Sequence, residues 1–298
     1  METVIVLMST YNGERYIRQQ IDSILGQQGV GVTLLVRDDG SSDGTLNILN
    51  EYSNAGKLIY YSGENIGPAR SFLHLLQHAP QSDYYAFADQ DDVWMPDKLV
   101  AGVGAISMHA EKPSLYFCQT QLTDQDLNPL PSVIINPRLT FGEMLIYKFI
   151  GGCTMIMNRK LRHLIGLYIP TYMPMHDLWI YSIAIGVGGH IYFDPQPHIL
   201  YRQHQNNSVG QGQGFIYEWK QRLKRFLSDG NERYNQAYEL NKGYGDAITA
   251  EHKLLLQRFL DGKHNLMKRL SLITNSELRC PDKITQLLFW INVITNKY

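Results

Sequence analysis

Within its first ninety residues the chain alternates short apolar runs with segments of helical periodicity, and this pattern constrains the fold more than any other feature. Val4-Ile5-Val6-Leu7-Met8 is continuously apolar and rich in β-branched residues, as a strand buried on both faces must be; Ser9-Thr10-Tyr11-Asn12-Gly13 after it reads as a loop. Tyr16, Ile17, Ile21, Ile24 and Leu25 then recur at helical spacing. Strands are expected over 32–36, 58–61 and 84–88, with helices over 45–52 and 69–76 between them. Strands alternating with helices predict βαβ units and a mainly parallel sheet flanked by helices, with ligands at the carboxyl ends of the strands.

After about residue 115 the pattern loosens. A strand is expected over 116–122, a loop over 129–137, a helix over 141–149, and a glycine turn at Gly151-Gly152 running into a strand through Met157. Residues 178–185 are helix-like. From Phe215 onward helical periodicity dominates, in Trp219, Leu223, Phe226 and Leu227, and again over 254–260 and 284–294. The glycine-rich stretch 210–214 marks a boundary, so the α/β region is expected over 1–214 and a helical C-terminal extension over 215–298. A chain of 298 residues is long enough for that arrangement.

The unusual residues sit after the strands. Asp89-Gln90-Asp91-Asp92 places three carboxylates in four positions, which repel one another unless a cation or bound partner offsets the charge. Hard oxygen ligands of this kind suit Mg²⁺ or Mn²⁺. A solvated acidic turn ahead of the helix near Pro96 is the alternative. Asp38-Asp39-Gly40-Ser41-Ser42-Asp43-Gly44-Thr45 follows the second strand and can be read as a turn with a capping Asp, or as an acceptor for a base N–H or a ribose hydroxyl. Thr10-Tyr11-Asn12-Gly13 adds an aromatic side chain and backbone groups to the same crevice.

Together these segments resemble the inverting glycosyltransferases of family 2, which have the GT-A fold. The resemblance is carried by Ser9-Thr10-Tyr11-Asn12, the 38–45 segment, Asn65-Ile66-Gly67-Pro68-Ala69-Arg70, and Asp89-Gln90-Asp91-Asp92-Val93-Trp94 with Pro96 and Lys98. Gly151-Gly152-Cys153-Thr154, His176-Asp177 and Tyr201-Arg202-Gln203-His204 extend it to about residue 210. The version present here looks most like bacterial rhamnosyltransferase-type members that build surface polysaccharide.

The resemblance implies a nucleotide-binding half over about 1–115 and an acceptor half over about 116–214. It implies that Asp39 contacts the base, Thr10 and Tyr11 line the nucleotide pocket, Asp89 approaches the ribose, and Arg70 meets the diphosphate or the ribose side. Asp91 would hold Mn²⁺ or Mg²⁺, joined by His204 as in some family members, or else His204 is a solvated loop histidine. Asp92 assists the ion or orients the loop. Asp177 would be the catalytic base, or alternatively a cap for the helix after it. His176 reads as a packing or supporting residue, and with Trp94, Gly151 and Gly152 it is placed near the donor sugar and acceptor. The donor implied is a dTDP- or UDP-sugar, with rhamnose a candidate, and the acceptor a glycan or lipid-linked glycan. Processive synthases of the family carry Gln-x-x-Arg-Trp and transmembrane helices; neither is found, so transfer of a single sugar is favoured.

Two rivals fit less well. A nucleotidyltransferase making sugar nucleotides would want a glycine-rich basic loop after the first strand, and Thr10-Tyr11-Asn12-Gly13-Glu14 is not one. An inactive nucleotide- or carbohydrate-binding module would not need the acidic cluster and Asp177.

The formal net charge of -1 argues against a nucleic-acid partner, yet it conceals a division. Residues 215–298 hold 14 Lys and Arg against 9 Asp and Glu, whereas 1–214 hold 13 against 19. The basic, aromatic segment 218–227 and the apolar run 287–291 suit an anionic membrane surface or, equally, a helix packed on the catalytic region. Cys118, Cys153 and Cys280 are odd in number and far apart, which supports neither a disulfide framework nor a zinc site. Met1, Glu2 and Thr3 run into the first apolar run without a basic leader. A cytoplasmic location is therefore expected, at the inner face of the cell membrane if the helical extension binds lipid.

Overall fold

The computed structural model describes residues 1–132, 134–147, 150–204 and 231–298. The elements run β1 (Thr3–Thr10), α1 (Ile17–Leu25), β2 (Gly31–Asp38), α2 (Thr45–Asn54), β3 (Ile59–Ser62), α3 (Pro68–His78), β4 (Tyr84–Ala88), β5 (Val93–Trp94), α4 (Lys98–Ser107) and β6 (Ser114–Thr123). They continue with α5 (Phe141–Ile146), a 3₁₀ turn (Gly152–Thr154), β7 (Ile156–Asn158), α6 (Arg159–Ile165), α7 (His176–Gly186) and β8 (His190–Arg202). The described C-terminal part is α8 (Glu232–Tyr244), α9 (Ala250–Asp261), α10 (Leu266–Thr274) and α11 (Lys283–Ile294). The expected boundary at 210–214 and the basic segment 218–227 lie outside the described residues.

The strands form one sheet in the order β3-β2-β1-β4-β7-β6-β8-β5. β1 pairs parallel to β2 and β4, and β2 parallel to β3, as the alternating pattern predicts. The other half is mixed: β7 runs antiparallel to both β4 and β6, β8 is parallel to β6, and β5 pairs antiparallel with β8.

Period-two alternation divides the apolar residues of the strands between two cores. Val4, Val6 and Met8 of β1 face Ile17, Ile21 and Ile24 of α1 and Leu99 and Val103 of α4. Ile5 and Leu7 face the opposite way, toward Phe72 and Leu75 of α3 and the apolar side chains of α7. Every residue of α7 is buried, as a helix covered on all sides must be. Its outer cover is C-terminal: Ala237 and Leu240 of α8, Leu255 and Phe259 of α9 and Phe289 and Val293 of α11 belong to the same core. Each such Leu, Phe or Val contributes roughly 1.5–3 kcal/mol of burial. In the apolar run 287–291, Phe289 is therefore a core residue, whereas Leu287 is exposed. No described helix is long and apolar enough to cross a membrane.

The structure departs from the sequence pattern in three places. α5 stops at Ile146, because Tyr147 takes an extended conformation; the rest of that expected helix, at 148–149, is outside the described residues. The strand expected from Gly151-Gly152 begins after a 3₁₀ turn. β8, thirteen residues long, is not announced by the sequence because Pro195 and Pro197 argue against a strand inside a sheet. The prolines are tolerated at an irregularity: Cys118 pairs with Asp194 but Gln119 with Pro197, so the pairing skips two residues of β8.

Candidate active site

The carboxyl ends of β1, β2 and β4 deliver three loops to one crevice, and α7 and the end of β8 close it. Thr10, the buried last residue of β1, donates through Oγ1 to Gln90 Oε1 at 2.5 Å. The Tyr11 amide donates to the same oxygen at 2.9 Å, and Gln90 Nε2 donates back to the Tyr11 carbonyl at 3.1 Å. Gln90 thus clamps the first loop to the acidic one, leaving the Tyr11 side chain 49% exposed. At Gly13 any side chain would run into the Gln90 amide. Gln90 was not singled out by its sequence pattern; its place between two aspartates is the one signal that pointed to it.

The second loop is rich in partners, although Asp38 Oδ1 is buried without one. Asp38 Oδ2 accepts from the amides of Gly40 and Ser41 at 3.2 and 3.0 Å and from the Ser62 hydroxyl at 2.9 Å. Asp39 is ion-paired to the Arg37 guanidinium, both nearly fully buried, and accepts from the amides of Ile66 at 3.0 Å and Gly67 at 2.9 Å. Arg37 also reaches Ser71 Oγ at 3.1 Å and the Glu64 carbonyl at 2.9 Å. The Asn65-Ile66-Gly67 segment is thereby tied to β2, and Arg70 stands exposed in the first turn of α3.

The third loop has the opposite character. Burial and the carboxylates of Asp91 and Asp177 push Asp89 up to about 7. Asp92 is 1% exposed; one oxygen accepts the Arg202 amide at 3.1 Å and the other has no partner. Burial, then Asp91 and Asp89, hold Asp92 well above the usual carboxylate range. The Cys153 sulfur and carboxylate oxygens of Asp89 and Asp92 lie within 4.8 Å of one another. Burial, with the charges of Asp92 and Asp89, pushes that thiol up as well. Gln20 Nε2 fixes the loop's main chain by donating to the Asp89 carbonyl at 2.9 Å.

His204, 113 residues further on, brings Nε2 to 2.8 Å from Asp91 Oδ2. Arg202 donates through Nε to the Asp91 carbonyl at 2.8 Å, so the end of β8 is fastened to the acidic loop by main chain and side chain. Among the described residues, Asp89, Asp92 and Cys153 form the group close enough to share an ion, with Asp91 and His204 paired beside it; carboxylates and an imidazole are donor types that suit a hard divalent cation.

Asp177 lies in the first turn of α7, 9% exposed, and its Oδ1 accepts the Leu178 amide at 2.6 Å. It therefore supports the helix start while its charge acts on Asp89. His176 is buried behind it: the imidazole stacks on Phe72 at 4.2 Å and meets the edge of Phe87 at 5.0 Å. Burial pushes its pKa down to about 3, and neither ring nitrogen has a hydrogen-bond partner. A side chain at Gly152 would collide with that ring, whereas one at Gly151 would meet only Cys153 Sγ, at 4.0 Å. Trp94 is buried, with the Lys98 ammonium 3.6 Å from its ring centroid. Asp89, Asp91, Asp92, Asp177 and His204 are thus brought together, whereas Trp94 and His176 are packed beneath them.

Comparison with known proteins agrees with this arrangement. The family model described as Glycosyl transferase family 2 matches residues 5–165. The chain is 28% identical over 236 residues to dTDP-rhamnosyl transferase RfbG of Shigella flexneri, covering 72% of this chain and 77% of that protein. It is 33% identical over 160 residues to the putative teichuronic acid biosynthesis glycosyltransferase TuaG of Bacillus subtilis, covering 53% and 62%. The structure of S. aureus TarS 1-349 in complex with UDP-GlcNAc superposes with a TM-score of 0.60 at 16% identity, over 100% of this chain and 88% of that one. That likeness establishes a GT-A-like fold. Because the family model spans more than half of the chain, from β1 through α6, and covers the three loops of the crevice, the chain belongs to glycosyl transferase family 2 and is a glycosyltransferase.

Proposed function

We propose that this glycosyltransferase moves a single sugar from a dTDP- or UDP-sugar to a glycan or lipid-linked glycan acceptor in bacterial surface-polysaccharide synthesis, inverting the anomeric centre with the help of Mn²⁺ or Mg²⁺. The observation that carries this reading is the convergence of Asp91 and Asp177 on Asp89, with Asp92 within ligand distance of Asp89 and His204 hydrogen-bonded to Asp91. The names of the RfbG and TuaG relatives support the product class, and rhamnose as the sugar rests on RfbG.

In this reading Asp91 and His204 hold the cation, and the unpartnered oxygen of Asp92 supports it. The cation supplies positive charge to the departing diphosphate. Asp39 retains about one acceptor site for a base N–H, since its partners use three of about four. Thr10 and the exposed Tyr11 line the nucleotide site, Asp89 meets the ribose, and Arg70 reaches toward the diphosphate. Asp177 takes the proton of the acceptor hydroxyl as its oxygen bonds to the anomeric carbon and the bond to the diphosphate breaks.

The same reading takes residues 1–214 as the catalytic unit and 215–298 as a helical extension that brings it to the anionic inner face of the cell membrane. The test is a thermal-shift screen of dTDP-, UDP- and GDP-sugars with Mn²⁺, followed by transfer assays on Asp177→Asn. Donor binding should persist while transfer disappears, and the wild-type product should have the anomeric configuration opposite to the donor. Substantial transfer by Asp177→Asn would remove Asp177 as the base.

A further inference from the structure

We propose that Tyr16 is a positioning residue for the cation site, its aromatic ring holding the His204 imidazole in the orientation that presents Nε2 to Asp91. The inference rests on the reading of His204 as a cation ligand given above.

Tyr16 lies between the first loop and α1, far in sequence from both Asp91 and His204. Its ring stacks on the His204 imidazole with centroids 5.1 Å apart and planes 26° from parallel. The Arg202 guanidinium sits 4.5 Å from the same ring centroid, and that of Arg15 5.0 Å. Arg202 is the residue that fastens the end of β8 to the acidic loop, through the Asp91 carbonyl and Asp92 Oδ1, and its Nη2 reaches Gln19 Oε1 at 2.6 Å. Two remote segments, the start of α1 and the end of β8, therefore meet at one aromatic ring, and the ring touches the two residues of β8 and its extension that approach the acids.

Chemistry indicates that the ring, and not the hydroxyl, does this. The Tyr16 hydroxyl is buried with no hydrogen-bond partner, and the side chain caps no helix amide. The torsion that swings an imidazole is broad, so an unsupported histidine samples orientations that turn Nε2 away from its partner. Stacking against a fixed ring, with a guanidinium held over that ring, narrows this choice. Groups that orient metal-binding side chains typically influence metal affinity about 10–100-fold.

The experiment titrates Mn²⁺ into the full-length, donor-free protein and reads free Mn²⁺ by electron paramagnetic resonance. Tyr16→Leu should weaken Mn²⁺ binding about tenfold. Tyr16→Phe should stay within about twofold of wild type, because the hydroxyl has no partner to lose. His204→Ala should weaken binding at least as much as Tyr16→Leu, and adding Tyr16→Leu to His204→Ala should change nothing further. Circular dichroism melting confirms the fold of each variant, and Tyr16→Met replaces Tyr16→Leu if the latter is unfolded. If His204→Ala binds Mn²⁺ as wild type does, the cation reading falls and the inference falls with it. If His204→Ala weakens binding while folded Tyr16→Leu does not, or Tyr16→Phe weakens it as much as Tyr16→Leu, the inference alone is overturned.

Discussion

Two acidic loops leave β2 and β4, the strands on either side of β1, at the same end of the sheet, and they handle carboxylate charge differently. After β2, Asp38 and Asp39 are held by four backbone amides, the Ser62 hydroxyl and the Arg37 guanidinium. After β4, Asp92 is buried and Asp89 half-buried beside Asp91, and both are pushed toward protonation. Charge that is compensated inside the protein holds the chain together, whereas charge left uncompensated is available to a ligand that brings the missing positive partner. In the first loop the Asp39 charge is compensated within the protein, whereas in the second Asp89 and Asp92 are crowded by other carboxylates.

Substitutions can break this contrast. The largest expected effect falls on Asp91→Asn and Asp177→Asn, which should each lower kcat at least about 10³-fold, some 4 kcal/mol of barrier. Their melting temperatures should hold or rise, because each removes a carboxylate that repels Asp89. A comparable loss of stability in these variants, measured by urea unfolding, would erase the distinction between the loops. Asp39→Ala should show the reverse pattern, costing about 3 kcal/mol of stability by leaving the Arg37 guanidinium buried without its ion-pair partner.

A smaller contrast separates the two glycines beside the crevice. Gly152→Ala should cost about 2 kcal/mol, since the new methyl meets the His176 ring, which is trapped between Phe72 and Phe87. Gly151→Ala should cost less than about 0.5 kcal/mol, having room around it. Paired melting curves decide this.

The smallest effect sharpens the role of burial itself. His176 has a folded pKa of about 3, against roughly 6.5 when unfolded. The unfolded chain therefore binds a proton that the folded chain refuses, so this contribution is fully favourable above the unfolded value and is lost as pH falls toward the folded one. The slope is about 1.4 kcal/mol per pH unit. Asp89, raised to about 7, acts in the opposite direction, so the informative quantity is a difference between proteins. His176→Leu should lose less stability than wild type between pH 6 and 5, read by urea unfolding at each pH.

Much of the parallel part of the sheet was legible from residue order. The runs at Val4–Met8 and Tyr84–Ala88 became β1 and β4, paired parallel, and the loop after β4 carries the acids where their positions predicted, whereas the clamp that Gln90 makes between the two loops was not foreseen. The second half was less legible for a definite reason. β8 hides behind Pro195 and Pro197, and only its pairing with β6 shows that the irregularity is accommodated. The C-terminal helices carry apolar residues whose periodicity marks them as helices without naming their partners; the structure packs α8 on α7 and α5 and α11 on α5, and joins their apolar residues to the core around α7.

The sequence by itself determined which segments are strands and helices and which end of the sheet gathers the acids, because periodicity and turn chemistry act over a few residues. Only the tertiary structure decided that Asp39 is compensated by a buried guanidinium and two amides while Asp89 and Asp92 are crowded by other carboxylates. It alone brought Asp177 to Asp89, Arg202 and His204 to Asp91, and Tyr16 to both Arg202 and His204. These contacts join residues far apart in sequence, and they depend on strand pairing and desolvation, which no local pattern encodes.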